Sequence, residues 1–190
     1  MALKADHDMN KFYEELSKAM DKAARAHIIR QDYVWKLANL ENSPLSFYVN
    51  GMDGKPYVRL KNISYLIGIV GLNECIYNLT GKEMHETDEA YSLALQVISY
   101  MYHETKKLSA KYGINMKLEE TPAESTAGRF AKLKSKKYGD KAFVKKNEFG
   151  MYYTNSVHFA TDSNVDYITR LMKQSKFHNL VEAGSMIHIW

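Results

Sequence analysis

The stretch Thr121-Pro122-Ala123-Glu124-Ser125-Thr126-Ala127-Gly128-Arg129 decides the fold, because it joins a strand to a helix. Before it, apolar side chains alternate with polar ones between Ile114 and Leu118, which is typical of a half-buried strand. After it, Phe130 and Leu133 recur at helical spacing. A strand that runs through a short polar turn into a helix is the first part of a βαβ unit.

The same turn has the features of an anion site. A helix start offers backbone N–H groups without partners and a partial positive charge, which favour phosphate. Thr121 and Glu124 have the spacing of a capping box, and Pro122 would occupy the first helical position. The hydroxyls of Ser125 and Thr126 would add donors. An ordinary capped helix explains the same spacing, and its cap would compete with phosphate for the same N–H groups.

Composition limits the class of protein. The 190 residues carry a formal net charge of +4 and are enough for one domain with a sizeable core. Such a small excess favours anionic ligands but does not indicate a nucleic-acid partner. A single cysteine, Cys75, excludes an intrachain disulfide and a cysteine-rich zinc site, and we expect no metal site. The longest apolar stretch, residues 65–72, is too short to span a bilayer, and the polar start is no signal peptide. We therefore expect a cytoplasmic protein with no membrane partner.

Periodicity predicts the elements of the first half. One long helix should cover residues 8–39, with Asp6 or Asp8 as its cap. Residues 46–49 and 57–60 should flank a small hairpin or Ω-like excursion. The continuous apolar run at 65–71 predicts a strand buried on both faces, followed by a short helix that ends at a glycine.

The second half continues the alternation. A helix should open at Thr87 and end near Gly113, and the strand and turn described above follow. The lysine-rich residues 132–146 read as a solvated loop or, alternatively, as a nucleic-acid patch. Residues 151–159 should form a strand, and Asp162 or Ser163 should cap a last helix.

This order predicts an α/β fold of parallel βαβ units in a single domain over residues 1–190. The long helix at 8–39 precedes βαβ units within 64–190. We expect parallel strands near 65–70, 114–119, 152–159 and 185–190. Because the chain stops on a buried-looking strand, we expect it to be a fragment.

Several side chains near the expected strand ends could act chemically. Asn73 and Glu74 could hold ribose hydroxyls, or could simply cap a helix and provide a surface acid. Cys75 could be a nucleophile or radical carrier, or a small buried apolar residue. His158 could point into a pocket, or be a hydrogen-bonded core histidine.

Five short motifs resemble, in this order, the C-terminal half of the catalytic barrel of anaerobic, class III, ribonucleoside-triphosphate reductases. They are Val70-Gly71-Leu72-Asn73-Glu74, Glu120-Thr121-Pro122-Ala123-Glu124-Ser125-Thr126, Arg129-Phe130-Ala131, Tyr153-Thr154-Asn155-Ser156 and His188-Ile189-Trp190. The resemblance covers nearly the whole chain. It implies about half of a ten-stranded α/β barrel and an oxidoreductase of deoxyribonucleotide synthesis, hence of DNA replication, that uses glycyl and thiyl radicals.

The resemblance also implies ligands and roles. Substrate phosphate would lie on the turn Pro122-Ala123-Glu124-Ser125-Thr126, and Asn73, Glu74, Asn155 and Ser156 would lie near the barrel mouth. The partners would be a ribonucleoside triphosphate, the remainder of the reductase and its S-adenosylmethionine-dependent activating enzyme. The glycyl radical, the zinc and a formate or dithiol reductant belong to the parent enzyme, and this chain carries none of them.

Other expectations follow from the same resemblance. The thiyl role is not assigned to Cys75, because the family's thiyl cysteine precedes the matched region, and the chain alone should be inactive. Exposed strand edges of a half-barrel would favour a homo-oligomer. The alternatives are a non-catalytic nucleotide-binding or scaffold module and, third, a basic protein for RNA or DNA that uses residues 132–146.

Overall fold

The computed structural model describes residues 1–49, 55, 57–59 and 62–187. The predicted excursion at 50–54 and the end of the predicted last strand, residues 188–190, lie outside the described residues. Among the described residues, no helix combines the length and the apolar character that a membrane span requires.

Two helices begin the chain: the short α1 (Ala2–Ala5) and the long α2 (Met9–Ala38). The predicted long helix is thus present, and Asp8 caps it by accepting hydrogen bonds from the N–H groups of Asn10 and Lys11 at 2.9 and 3.1 Å. Its N-terminal half buries a stripe at four-residue spacing: Phe12, Leu16, Met20 and Ala24. A single helical turn, α3 (Ser46–Val49), follows where the sequence predicted the first arm of a hairpin.

A parallel pair of strands forms the centre of the fold. β1 (Ser64–Ile69) pairs in parallel with β2 (Asn115–Glu120), from Ser64 opposite Asn115 to Ile69 opposite Glu120. Between them run α4 (Leu72–Thr80) and α5 (Asp88–Tyr112), which end at Gly81 and Gly113 as predicted. The α/β class and the two strands predicted near 65–70 and 114–119 are therefore confirmed.

The elements after β2 differ more from the prediction. They are α6 (Glu124–Tyr138), a 3-10 turn (Gly139–Lys141), the antiparallel hairpin β3 (Lys145–Asn147) and β4 (Gly150–Tyr152), and α7 (Tyr167–His178). Residues 132–138 thus belong to a helix, although the sequence predicted a loop. Asp166, and neither Asp162 nor Ser163, caps α7 by accepting from the N–H of Thr169 at 3.0 Å.

The predicted parallel strand at 152–159 is wrong. Only Gly150–Tyr152 is extended, and it pairs antiparallel with β3. Beyond it, an isolated antiparallel bridge joins Val70 to Asn155, and Ser156 has φ 48°. One physical reason is that the carboxylate of Glu74 takes the N–H of Thr154, which is thereby lost to a strand ladder. The carbonyl oxygens of Thr154 and Ser156 still accept from the N–H groups of Gly71 and Leu72, so only a short contact with the end of β1 remains.

The predicted strand at 185–190 is not found over its described part, residues 185–187. The chain just before it does follow β2: Ala183 N–H donates to Leu118 O at 3.0 Å, and Glu120 N–H donates to Gly184 O at 2.9 Å. The N–H of Met186 then donates to the carboxylate of Glu120 at 3.1 Å. Here too a carboxylate replaces the backbone partner that would have continued a strand.

Candidate functional site

Two loops leave the same edge of the parallel pair. After β1, Gly71 adopts a left-handed conformation and opens α4. After β2, residues 121–123 lead into α6. The loops touch closely, since a Cβ atom placed on Gly68 would lie 2.5 Å from the hydroxyl oxygen of Thr121. Glycine at 68 therefore allows residues 121–126 to lie against β1. These residues are called the phosphate turn below, after the ligand that the sequence predicts for them.

The first turn of α6 has no side-chain cap. The helix begins at Glu124, and Ala123 occupies the cap position without a capping hydrogen bond. The predicted capping box is wrong, because the hydroxyl of Thr121 donates instead to Glu119 Oε2 at 2.8 Å. Pro122 precedes the helix and does not occupy its first position. The first N–H groups of α6 are consequently left for water or a ligand, with Ser125 exposed and Thr126 half-buried beside them.

Glu74 is a buried carboxylate near this edge, with 1% of its surface exposed. Its Oε1 accepts from the N–H and the hydroxyl of Thr154 at 2.9 and 2.7 Å. Its Oε2 has no hydrogen-bond partner among the described residues. Burial raises the pKa of Glu74 above its ordinary value, and the hydrogen bonds from Thr154 oppose that shift only in part.

The neighbours of Glu74 on α4 have different environments. The Asn73 amide donates to Glu83 Oε2 at 2.7 Å, and its carbonyl oxygen accepts from the N–H of Met84 at 3.1 Å. Both ends of this fully buried side chain therefore hold the loop that follows α4. Burial raises the pKa of the Cys75 thiol to about 12, so the thiol stays protonated at neutral pH.

Asn155 and Ser156 lie beside the phosphate turn. The Asn155 amide lies 3.4 Å from Glu124 Oε1, and the Ser156 hydroxyl donates to Thr121 O at 3.3 Å. The structure therefore brings these two predicted residues to the turn, although they lie on a loop and not on a strand. The side-chain oxygen of Asn155, Oδ1, is buried and has no hydrogen-bond partner among the described residues.

The side chains of His158 and His178 cluster around Glu120, and the sequence did not predict this cluster. His158 Nε2 lies 3.3 Å from Glu120 Oε2 and 2.6 Å from Met186 O. His178 Nε2 lies 3.6 Å from Glu120 Oε1. A signal for Glu120 did exist, because it continues the alternation of Met116 and Leu118 onto the buried face. Nothing in the sequence links His178, at the end of α7, to this carboxylate.

A known protein family matches the whole chain. The family model described as anaerobic ribonucleoside-triphosphate reductase matches residues 1–190. The chain belongs to the anaerobic ribonucleoside-triphosphate reductase family. The family to which the five motifs pointed is thereby confirmed.

Curated members of this family are distant in sequence. The chain is 25% identical over 126 residues to the anaerobic ribonucleoside-triphosphate reductase of Enterobacteria phage T4, a match covering 66% of this chain and 19% of that protein. It is 24% identical over 189 residues to the Haemophilus influenzae enzyme, covering 90% and 26%. The chain thus spans about a fifth to a quarter of the length of these relatives.

Solved structures of the anaerobic ribonucleotide reductase from Thermotoga maritima share the fold. The form with citrate in the active site has a TM-score of 0.74 at 21% identity, covering 99% of this chain and 33% of that one. The form in complex with dATP and CTP has a TM-score of 0.73 at 21% identity, covering 99% and 30%. The fold shared with the Thermotoga maritima reductase therefore covers nearly the whole of the present chain.

Proposed function

We propose that this chain is part of an anaerobic ribonucleoside-triphosphate reductase and holds the phosphates of its nucleotide on the phosphate turn. The observation that carries the proposal is the uncapped start of α6, whose N–H groups have no side-chain partner. Ser125 and Thr126 stand in the first turn of that helix and can add hydroxyl donors. Membership of a family named for ribonucleoside-triphosphate reduction supports the choice of ligand.

The ribose would lie between the phosphate turn and the loop that follows β4. Asn155 and Ser156 contact the turn directly, which supports a role for them in framing the sugar. Glu74 holds that loop in place through Thr154. Asn73 contributes indirectly, by fixing the loop after α4.

Radical chemistry would be supplied by other parts of the reductase. A four-cysteine zinc site does not fit this chain, which has one cysteine. The remainder of the reductase would provide the glycyl radical, the thiyl cysteine and the reductant, after action of the activating enzyme. The role proposed for this chain is to bind and orient the nucleotide in the cytoplasm.

In this proposal β1 and β2 are neighbouring strands of a ten-stranded barrel, of which residues 1–190 form about half as one domain. The parallel register of β1 and β2 supports it, as does the backbone of residues 183–184 alongside β2. The other half of the barrel, or a second copy of this chain, would cover the remaining edge.

Titration of the ¹⁵N-labelled chain with inorganic tripolyphosphate tests the phosphate turn. Amide shifts should be largest at residues 124–127, at the start of α6. Replacing both hydroxyls, Ser125→Ala with Thr126→Val, should weaken binding by about tenfold or more for each hydroxyl that contacts the phosphate, since a hydrogen bond to a charged group is worth roughly 1.5–3 kcal/mol. Ser135→Ala, later in the same helix, is the matched control and should bind normally. Shifts confined to the lysines near the C-terminal end of α6 would refute the proposal.

A further inference from the structure

A cavity of about 440 Å³ adjoins the first turn of α6. It lies between that turn, the β3–β4 hairpin, the segment after β4 and α7. Glu124 and Ala127 of the first helical turn form one of its walls. Its volume falls within the range of pockets that bind small organic ligands in proteins, roughly 300–1,000 Å³.

Four aromatic side chains contribute to the other walls of the cavity. They are Phe149, Tyr152, Tyr153 and Phe159. Phe149, next to the bend of the hairpin, is 87% exposed and makes no ring contact within the described residues. An aromatic face left open at the rim of a cavity suits a flat ring that can stack on it.

Two amide side chains on the cavity wall, those of Gln174 and Asn155, have unused hydrogen-bonding capacity. Gln174 is 1% exposed, and its Oε1 accepts from the N–H of Phe159 at 2.7 Å. Its amide nitrogen therefore remains as a donor on the cavity wall. The buried Oδ1 of Asn155 remains as an acceptor. Buried polar groups without partners are costly, so a ligand that offers both an acceptor and a donor would be favoured.

The charges along the wall balance each other. Arg170 donates to Phe159 O, Ala160 O and Ser163 Oγ, and no carboxylate in the described part of the chain pairs with it. The carboxylate of Glu124 is also part of the lining. One positive and one negative group favour a neutral ligand with polar edges over a free anion.

We propose that this cavity holds the base of the nucleotide whose phosphates lie on the phosphate turn. A nucleobase is flat, neutral and carries donors and acceptors along one edge, which matches the aromatic walls and the two amides. The wall shared with α6 gives the base and the phosphates one continuous site. This inference rests on the proposed function, because it assigns the base of the same nucleotide.

Two probes separate the base from the phosphates. Adenosine and cytidine carry a base and no phosphate, whereas inorganic tripolyphosphate carries phosphate and no base. In ¹⁵N spectra of the chain, the nucleosides should shift the amides around the cavity: those of Phe149, Thr154, Phe159 and Gln174. Tripolyphosphate should instead shift residues 124–127. The corresponding nucleoside triphosphates should shift both groups and bind more tightly than either probe.

Two variants test the stacking face and the amide donor. Phe149→Ala should weaken nucleoside binding about tenfold, as expected for the loss of one base–aromatic stack. Gln174→Glu keeps the oxygen that accepts from Phe159 but replaces the amide donor with an acceptor, so it should weaken binding as well. Phe130→Ala removes a 44%-exposed phenylalanine that does not line the cavity and is the matched control. All three variants should bind tripolyphosphate like the parent chain.

The outcomes are distinct. If neither nucleosides nor nucleoside triphosphates shift the cavity amides, or if Phe149→Ala and Phe130→Ala bind the triphosphates equally well, the base site is wrong, even if tripolyphosphate still binds the turn. If nucleosides bind the cavity and tripolyphosphate avoids the turn, the phosphate proposal fails and the cavity remains a base site.

Discussion

A single carboxylate oxygen of Glu74 accepts both the N–H and the hydroxyl hydrogen bonds of Thr154, a residue 80 positions further along the chain. This contact fixes the loop after β4 against the start of α4. It also leaves the second oxygen of Glu74 buried and without a partner among the described residues. The contact between Glu74 and Thr154 therefore places a carboxyl group where burial disfavours its ionised form.

Glu74→Gln should gain stability relative to the parent chain as the pH rises from acid to neutral, because burial disfavours the ionised carboxylate of the parent. Glutamine retains one oxygen for Thr154 and cannot ionise. The folded-state pKa of Glu74 is raised by burial from 4.5, so the unfolded chain loses this proton first as the pH rises. The contribution of Glu74 to the stability of the parent chain is therefore fully present below the unfolded-state pKa of this group. It is lost as the pH rises through the folded-state pKa.

Urea unfolding of Glu74→Gln and of the parent chain at about pH 4 and about pH 7 measures this effect. The advantage of the variant should grow with pH across that interval. Glu148→Gln, at an exposed position in the hairpin, is the control and should show no such trend. An advantage for Glu74→Gln that shrinks from the lower to the higher pH would contradict the assigned direction.

Cys75 should resist alkylation in the folded chain. Burial raises the pKa of its thiol to about 12, and the reactive species is the thiolate. Iodoacetamide at mildly alkaline pH should therefore modify the native chain far more slowly than the chain unfolded in guanidinium chloride. Mass spectrometry of timed samples measures both rates, and equal rates would refute this burial.

Gly68→Ala should destabilise the chain by about 1–3 kcal/mol, the range expected for overpacking. The added methyl carbon would lie 2.5 Å from the hydroxyl oxygen of Thr121. Removing that oxygen with Thr121→Ala should recover part of the loss, so the two changes should not be additive in a double-mutant cycle.

Gly184→Ala serves as the comparison for Gly68→Ala, because no atom lies within 4 Å of a Cβ placed there. Its free energy of unfolding should stay close to that of the parent. If Gly68→Ala were equally harmless, the close approach of β1 and the phosphate turn would be wrong.

The isolated chain should form no deoxyribonucleotide from a ribonucleoside triphosphate. The proposed mechanism needs a thiyl cysteine, a glycyl radical and a reductant, and the one cysteine of this chain, Cys75, does not match the position that the family resemblance implies for the thiyl cysteine. Anaerobic incubation with an activating enzyme, S-adenosylmethionine and formate or dithiol, followed by chromatography of the nucleosides, tests this. Product that disappears in Cys75→Ala would show that the cysteine is catalytic.

The sequence predicted the elements whose signals are local. The apolar run of β1, the alternation of β2 and the glycines that end α4 and α5 all act over a few residues. The strand expected at 152–159 failed because Glu74, far away in sequence, binds its backbone. Local spacing carries no information about such a partner.

The same distinction applies to the site. The sequence placed the phosphate turn correctly between a strand and a helix, but it predicted a cap at Thr121. The hydroxyl of Thr121 instead bonds Glu119, while the turn packs on Gly68 of the neighbouring strand. The cluster of Glu120 with His158 and His178 depends on contacts among β2, the loop after β4 and α7, which no single stretch reveals.

The pairing of β1 with β2 has a consequence for the order of events in folding. Ser64 and Asn115, at one end of the pair, are 51 residues apart, so β1 leaves the ribosome well before its partner exists. Parallel pairing over such a separation is slow, because a long loop must close first. The helix α2 is made earlier still, and its His27 contacts Leu66 O of β1 at 2.9 Å. During synthesis, α2 can therefore shield the waiting strand from other nascent chains.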